Sequence, residues 1–122
     1  MAATDSRPLE PEWDGSDASI KDLIVELKNY AYQRNNALWV LETDDVRRAA
    51  AAAGKTADRK RKDQMNMWCI IFKLFKNVER AKHCVTDVDI TGNEFCSEVW
   101  KEIYQVYYPR TGNAVSDLVR TL

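Results

Sequence analysis

Residues 56–78 read TADRKRKDQMNMWCIIFKLFKNV, and this stretch carries the strongest helical pattern in the chain. Its larger side chains recur every three or four positions, the spacing that places side chains on one face of an α-helix. The pattern predicts a long central helix that begins at Thr56, ends near Asn77 or Val78, and packs one face into the core. The residues on that predicted face are Ala57, Arg61, Met65, Trp68, Ile71, Phe72 and Phe75, with the Arg61 stem at its margin.

Two apolar patterns precede the central helix. The first predicts an amphipathic helix that begins at Ser16 or Asp17 and ends near residues 35–36. Its apolar positions follow the same spacing and are Ile20, Leu23, Ile24, Leu27, Tyr30 and Ala31. The second is the run Ala37–Leu41, which is too rich in apolar side chains for a surface loop. We therefore expect a buried helical turn there.

Further helical segments lie on both sides of the central helix. A short alanine-rich helix is expected between a cap at residues 43–45 and Gly54. Residues 79–85 predict one more helical segment or a bend. Thr91 and Glu94 have the spacing of a capping box, which predicts that a helix starts there. Its apolar stripe is Phe95, Val99, Trp100, Ile103, Val106 and Tyr107.

The chain end predicts a last helix, and the whole pattern predicts the fold class. Pro109 and Gly112 end the preceding helix, and a final one begins near residues 111–113. A length of 122 residues with 45% apolar and 30% charged residues is typical of one globular domain. We expect an all-α fold, a compact bundle of about five to six helices in residues 16–122, preceded by a flexible acidic arm at residues 1–15.

The cysteines and the apolar runs bear on the compartment. Cys69, Cys84 and Cys96 cannot all pair within one chain, and no signal-like stretch follows the amino terminus. The longest apolar runs are far shorter than a membrane span requires. We expect a reduced intracellular protein, cytoplasmic with the nucleus as the alternative, that has no membrane partner.

Charge is distributed unevenly along the chain, although its formal net value is only −1. Residues 1–26 contain seven acidic and two basic residues, whereas residues 47–62 contain seven basic residues and one acidic residue. This second stretch predicts binding to nucleic acid or to an acidic surface, including the acidic segment of a neighbouring copy. The alternative is a solvated helix face. The candidate binding residues are Arg47, Arg48, Lys55, Arg59, Lys60 and Lys62.

Patterns for catalysis, metals and phosphate loops are incomplete. His83 adjoins Cys84, but the chain has no Cys-x-x-Cys and no fourth ligand at a zinc-like spacing. Gly54-Lys55-Thr56 lacks the earlier glycine and the strand of a phosphate-binding loop. We expect no catalytic residues, no metal, no cofactor and no small-molecule substrate.

The aromatic residues near the basic stretch allow two interpretations. Aromatic rings beside cations can stack on the bases of a single strand. The helical spacing instead favours packing Trp68, Phe72 and Phe75 inside, which leaves Arg59, Lys60 and Lys62 as the exposed residues on this helix.

The order of the motifs resembles a known family. Trp13-Asp14-Gly15 precedes the first helix, ALWVL fills Ala37–Leu41, and NEFCSEVWKEIYQVY fills residues 93–107. Over residues 13–122 this arrangement is similar to the Gag protein of copia-type LTR retrotransposons. That family has a Trp-x-x-Leu-x-x-x-Tyr motif on a helix, and Trp100, Ile103 and Tyr107 fill its three places here. The family's early Tyr-x-x-Trp is missing.

The resemblance implies a non-enzymatic assembly module, similar to the amino-terminal part of a capsid protein, that packs with copies of itself around RNA. Its core-motif positions are Trp39, Trp68, Trp100, Ile103 and Tyr107. Together with the apolar chain end, it predicts a homo-oligomer formed through Tyr108, Val115, Leu118, Val119 and Leu122. The alternative is a helical nucleic-acid-binding regulator whose basic helix, beginning near Arg59, lies in a groove. A third interpretation, an enzyme using Cys84 and His83, is not expected.

Overall fold

Four α-helices form the framework of residues 9–109, the part of the chain that the computed structural model describes. They are α1 (Ile20–Gln33), α2 (Asp45–Ala51), α3 (Ala57–Phe75) and α4 (Phe95–Tyr107), joined by 3₁₀ turns at Asp17–Ser19, Ala37–Leu41 and Lys82–Cys84. No strand occurs within this range, and the predicted all-α class is confirmed. The predicted last helix, with Val115, Leu118, Val119 and Leu122, lies outside the described residues, so the expected count of five to six helices is not reached here.

The core forms where the 3₁₀ turn Ala37–Leu41 meets α1, α3 and α4. The predicted apolar face of α1 is buried almost completely, because its aliphatic and aromatic side chains follow the helical period without interruption. The turn buries Trp39, Val40 and Leu41, as the density of its apolar residues predicted. Each such side chain contributes about 1.5–3 kcal/mol when it leaves water. The turn therefore contributes substantially to holding the three helices together.

The buried face of α3 differs from the predicted one by about one position. Its buried residues are Asp63, Gln64, Met67, Ile70, Ile71 and Phe75. Met65 and Trp68 are only half-buried, Arg61 is exposed, and Phe72 keeps 39% of its surface in solvent. The prediction is confirmed for Ile71 and Phe75 and was wrong for the start of the face, where Ala57 is exposed, because the polar residues Asp63 and Gln64 occupy the start of the true core face.

Gln64 explains why the core face of α3 begins with polar side chains. Its Oε1 accepts hydrogen bonds from the backbone N–H groups of Cys96 (2.8 Å) and Ser97 (3.1 Å), and its Nε2 donates to Ser97 Oγ (2.7 Å). Ser97 Oγ in turn donates to the carbonyl of Val40 at 2.9 Å. These bonds satisfy amides in the first turn of α4 that have no partner within that helix. A side chain from α3 therefore caps α4.

The predicted capping box at the start of α4 is not formed. Thr91 donates to the carboxylate of Asp89, and the Glu94 carboxylate accepts from Arg48. Helix α4 begins at Phe95 with no side-chain cap from its N-cap residue Glu94. The local sequence signal failed because Gln64 performs this function from another helix.

Asp63 anchors the Ala37–Leu41 turn to α3. It is fully buried, and its Oδ2 accepts from Trp39 Nε1 and from Lys55 Nζ, each at 2.8 Å. Burying a carboxylate is costly unless a cation or donors neutralise it, and both kinds of partner are present. The ion pair between Asp63 and Lys55 also holds in place the loop between α2 and α3, which carries Lys55.

The described part of the predicted arm, residues 9–15, packs against the helices. The Trp13 ring lies 5.1 Å from the Phe75 ring, centroid to centroid, and Trp13 Nε1 donates to Ser19 Oγ at 2.9 Å. Pro11 is buried. Residues 9–15 therefore extend the core beside the carboxyl end of α3. Within residues 9–109, no helix is both long and apolar enough to cross a membrane.

Candidate nucleic-acid interface

Arg48, one of the predicted binding residues, is buried with only 3% of its surface exposed. Its Nη2 lies 3.0 Å from Glu94 Oε1 and 2.9 Å from Asp45 Oδ1, and its Nη1 donates to the carbonyl of Glu42 at 3.2 Å. These contacts connect α2 to the start of α4. Arg48 is therefore a structural residue. Because it is buried in ion pairs, it is not free to bind nucleic acid or an acidic partner, contrary to the sequence prediction. The sequence alone does not show whether a basic residue in a charged run is buried in ion pairs or free to bind a partner.

Lys55 also has a structural partner. Its Nζ lies 2.8 Å from Asp63 Oδ2 and donates to the carbonyl of Asn35 at 3.3 Å. Releasing Lys55 to a phosphate would leave the buried carboxylate of Asp63 without its cation, which is strongly unfavourable. Lys55 is therefore also a structural residue and not the free binding residue that the sequence predicted. Arg47, on α2, is exposed and has no ion-pair partner among residues 9–109.

The remaining cations form what we call the basic block, Arg59–Lys62, in the first two turns of α3. Arg59, Arg61 and Lys62 are exposed, and Lys60 is half-buried. None of the four has an ion-pair partner among residues 9–109. The Arg61 guanidinium donates to the carbonyl of Ile90 at 3.2 Å. The block therefore presents a concentration of positive charge that residues 9–109 do not neutralise through ion pairs.

The position of the basic block is unfavourable for the helix that carries it. The amino end of a helix is electropositive, so cations there reduce helix stability. Thr56 caps α3 by accepting from the Arg59 N–H at 3.1 Å, which places Arg59 where a capping box would have a glutamate. Residues that break a local rule in this way are expected at functional sites. An anionic partner would remove the conflict.

A second feature of α3, which we call the aromatic ridge, consists of Met65, Trp68 and Phe72. The rings of Trp68 and Phe72 lie 5.4 Å apart with 41° between their planes, and the edge of Phe95 supports Trp68 at 5.7 Å. The Lys76 ammonium lies 5.8 Å from the centre of the Phe72 ring. The ridge thus lies between Arg61 and Lys76 at the margin of the core, where Met65 and Trp68 are partly buried against core residues and Phe72 is exposed.

The two buried thiols, Cys84 and Cys96, lack the lowered pKa of an activated nucleophile. Cys84 Sγ is 3.5 Å from His83 Nε2, but burial, and secondarily the charge of Glu102, raises the pKa of Cys84 to about 11. Burial also raises the pKa of Cys96. A thiol with a raised pKa is protonated at neutral pH, whereas a nucleophilic cysteine needs a lowered one. No group of three potential metal ligands occurs in residues 9–109.

Of the residues predicted for the core motif and for self-association, some are buried and others are only half-buried. Trp39, Trp100 and Ile103 are buried, whereas Trp68 and Tyr107 are half-buried. Tyr108 is half-buried, and its ring lies 5.0 Å from that of Tyr104 at the end of α4. The other self-association residues, Val115, Leu118, Val119 and Leu122, lie outside residues 9–109.

Comparisons with protein-family models, with curated proteins and with solved structures found no match to this chain. The copia-type Gag resemblance therefore remains a prediction from the motif order. The functional proposal depends on the basic block and the aromatic ridge. Sequence reasoning located the first and misplaced the second.

Proposed function

We propose that this protein is a non-enzymatic assembly module of the capsid type, and that the basic block of α3 contacts RNA. The observation that supports the RNA contact is the position of Arg59–Lys62, four consecutive cations at the electropositive end of a 19-residue helix. Phosphates are well suited to such a site because they satisfy both the side-chain charges and the helix dipole. The candidate contact residues are Arg59, Lys60 and Lys62, with Arg47 near them in sequence.

Self-association is the second part of the proposal. It is supported by the motif order and by the apolar pattern of residues 113–122 in the sequence. The contact residues on this proposal are Tyr108, Val115, Leu118, Val119 and Leu122. Light scattering of the full chain should show mass increasing with protein concentration, and Leu118→Asp with Leu122→Asp should abolish the increase. A monomer at all concentrations would contradict this part alone.

RNA binding is tested by fluorescence anisotropy with a labelled single-stranded RNA. The variant Arg59→Ala with Lys62→Ala should bind at least about 10-fold more weakly, because two phosphate contacts are removed. The matched control is Lys21→Ala with Lys28→Ala, which removes the same charge from exposed positions on α1. Equal losses in both variants would show that only net charge matters, and would contradict a site on α3.

The nucleic-acid-binding regulator remains the competing proposal, and the same assay separates the two. A regulator that places α3 in a groove should prefer duplex to single strand and should stay monomeric when it binds. The assembly module should prefer single-stranded RNA and form larger particles with it. Light scattering in the presence of each nucleic acid measures both properties in one experiment.

A further inference from the structure

We propose that the aromatic ridge of α3 stacks on unpaired bases of the RNA, so that the ligand is single-stranded or looped RNA rather than duplex. This inference rests on the proposed function, because it specifies which form of RNA contacts α3. It departs from the expectation that Phe72 packs inside, because Phe72 is exposed, whereas Trp68 is partly buried against the core. Exposed aromatic rings beside cations are the usual means by which proteins hold single strands.

The exposure of Phe72, beside a partly buried Trp68, is the first argument. Phe72 is 39% exposed, and Ile90, whose carbonyl is held by Arg61, is 41% exposed. The Trp68 ring is fixed by contacts to both Phe72 and Phe95. A fixed aromatic platform loses little conformational entropy when a base stacks on it, and every base has a π-face to offer.

The distribution of charge along the ridge is the second argument. Arg61 and Lys76 lie at its two ends, about 22 Å apart at 1.5 Å per residue. Lys62 adds a third cation on the solvent side of α3, and Lys73 is engaged with Glu10 at 2.8 Å. A polyanion crossing the ridge would therefore meet cations before and after the rings. That arrangement favours an RNA strand over an uncharged apolar partner.

Cys69 offers a probe of this face without any mutation. It follows Trp68 on α3 and is exposed, whereas Cys84 and Cys96 are buried thiols with raised pKa values. Alkylation of the folded protein should therefore modify Cys69 first. Bound single-stranded RNA should slow that reaction several-fold, because the strand covers the adjoining residues.

The decisive experiment compares two strands of equal phosphate number, an oligouridylate of about 12 nucleotides and an abasic strand of the same length. Phe72→Ala should weaken binding of the oligouridylate about 5-fold or more and leave the abasic strand within about 2-fold. The matched control is Tyr32→Ala, which removes an exposed aromatic ring from α1 and should change neither affinity. Circular dichroism verifies that each variant is folded.

The outcomes distinguish this inference from the proposed function. If Phe72→Ala weakens both strands equally or neither of them, and Cys69 is alkylated at the same rate with and without RNA, base stacking is wrong while the RNA contact remains. If neither strand binds the wild-type protein, the proposed function itself is wrong. If the Phe72 variant does not fold, Cys69 protection in the wild-type chain tests the inference alone.

Discussion

Gln64 joins α3, α4 and the Ala37–Leu41 turn through buried hydrogen bonds. Its amide accepts from two backbone N–H groups and donates to Ser97, which donates to Val40. A buried donor left without an acceptor costs about 1–3 kcal/mol. Removing the Gln64 side-chain amide would leave two such donors, the backbone N–H groups of Cys96 and Ser97, without an acceptor. The cap is therefore a main determinant of how α4 packs.

Gln64→Leu should lower the free energy of unfolding by about 2–4 kcal/mol, because it retains side-chain volume but leaves the Cys96 and Ser97 amides unsatisfied. Urea denaturation followed by circular dichroism measures the change. Gln105→Leu, at an exposed position of α4, is the control and should stay within about 0.5 kcal/mol. An unchanged midpoint in the Gln64 variant would show that α4 does not need this cap.

Asp45 gives α2 a dependence on pH. Hydrogen bonding by Lys101 first, followed by the charges of Lys101 and Arg48, lowers the pKa of Asp45 below its ordinary value of 3.8. A carboxyl with a lower pKa in the folded state contributes stability above its unfolded pKa, and this contribution is lost as the pH falls through the folded value. The stabilising effect therefore disappears in acid.

Asp45→Asn should lower the melting temperature at neutral pH, and the difference from wild type should close as the pH is lowered through and below the ordinary carboxyl value of 3.8. Thermal melts from neutral pH to below this value measure the convergence. Lys101→Ala should shrink the same difference, since it removes the main cause of the lowered pKa. Parallel curves for wild type and Asp45→Asn down to acid pH would contradict the assignment.

Some elements of the fold could be predicted correctly from the sequence and others could not, for a physical reason. The buried face of α1 and the Ala37–Leu41 turn were predicted correctly because apolar side chains alone define them. The face of α3 was misplaced because Asp63 and Gln64 are buried through partners distant in sequence. Arg48 was misassigned for the same reason, since its carboxylate partner Glu94 lies 46 residues away. Periodicity detects burial of apolar side chains and cannot detect tertiary hydrogen bonding.

On the proposed function, helix α3 carries a conflict between stability and RNA binding. Arg59 occupies the position where glutamate would complete a capping box with Thr56, and it lies at the electropositive end of the helix. Replacing Arg59 with glutamate should therefore stabilise the fold and weaken RNA binding. These opposite effects are not expected if the basic block is only a solvated helix face.

Arg59→Glu should raise the melting temperature by about 2–5 °C, from about 0.3–1 kcal/mol of improved capping and dipole interaction. The same variant should bind RNA more weakly. Lys76→Glu, at the carboxyl end of α3, reverses the same charge where an anion is unfavourable, and should lower the melting temperature. Thermal melts and anisotropy on both variants test the pair. A destabilised Arg59→Glu variant would overturn the argument.

The molecule as a whole is electrically polarised along α3. The basic block lies at the amino end of this helix, whereas Trp13, near the acidic residues Glu12 and Asp14, packs against Phe75 at the carboxyl end. The two ends are about 24 Å apart at 1.5 Å per residue. The chain is near-neutral overall but concentrates cations that have no ion-pair partner among residues 9–109 at the amino end of α3, whereas Lys76 at the carboxyl end lies near acidic residues. We therefore expect a polyanion to be attracted most strongly at the amino end.

This polarity predicts a definite response to salt. Binding of a single strand weakens with a slope of about −0.7 per phosphate neutralised, on logarithmic scales of affinity and salt. The five cations along α3 that have no ion-pair partner among residues 9–109, which are Arg59, Lys60, Arg61, Lys62 and Lys76, then give a slope of about −3.5. Raising the salt from about 50 to 200 mM should weaken binding about 100-fold.

Removing two of these contacts should change the slope as well as the affinity. Arg59→Ala with Lys62→Ala should reduce the slope to about −2, so that the same rise in salt costs about 20-fold. Lys21→Ala with Lys28→Ala should keep the wild-type slope, because those lysines lie on α1. A slope near zero in the wild type, or an equal decrease in both variants, would mean that RNA does not bind along α3.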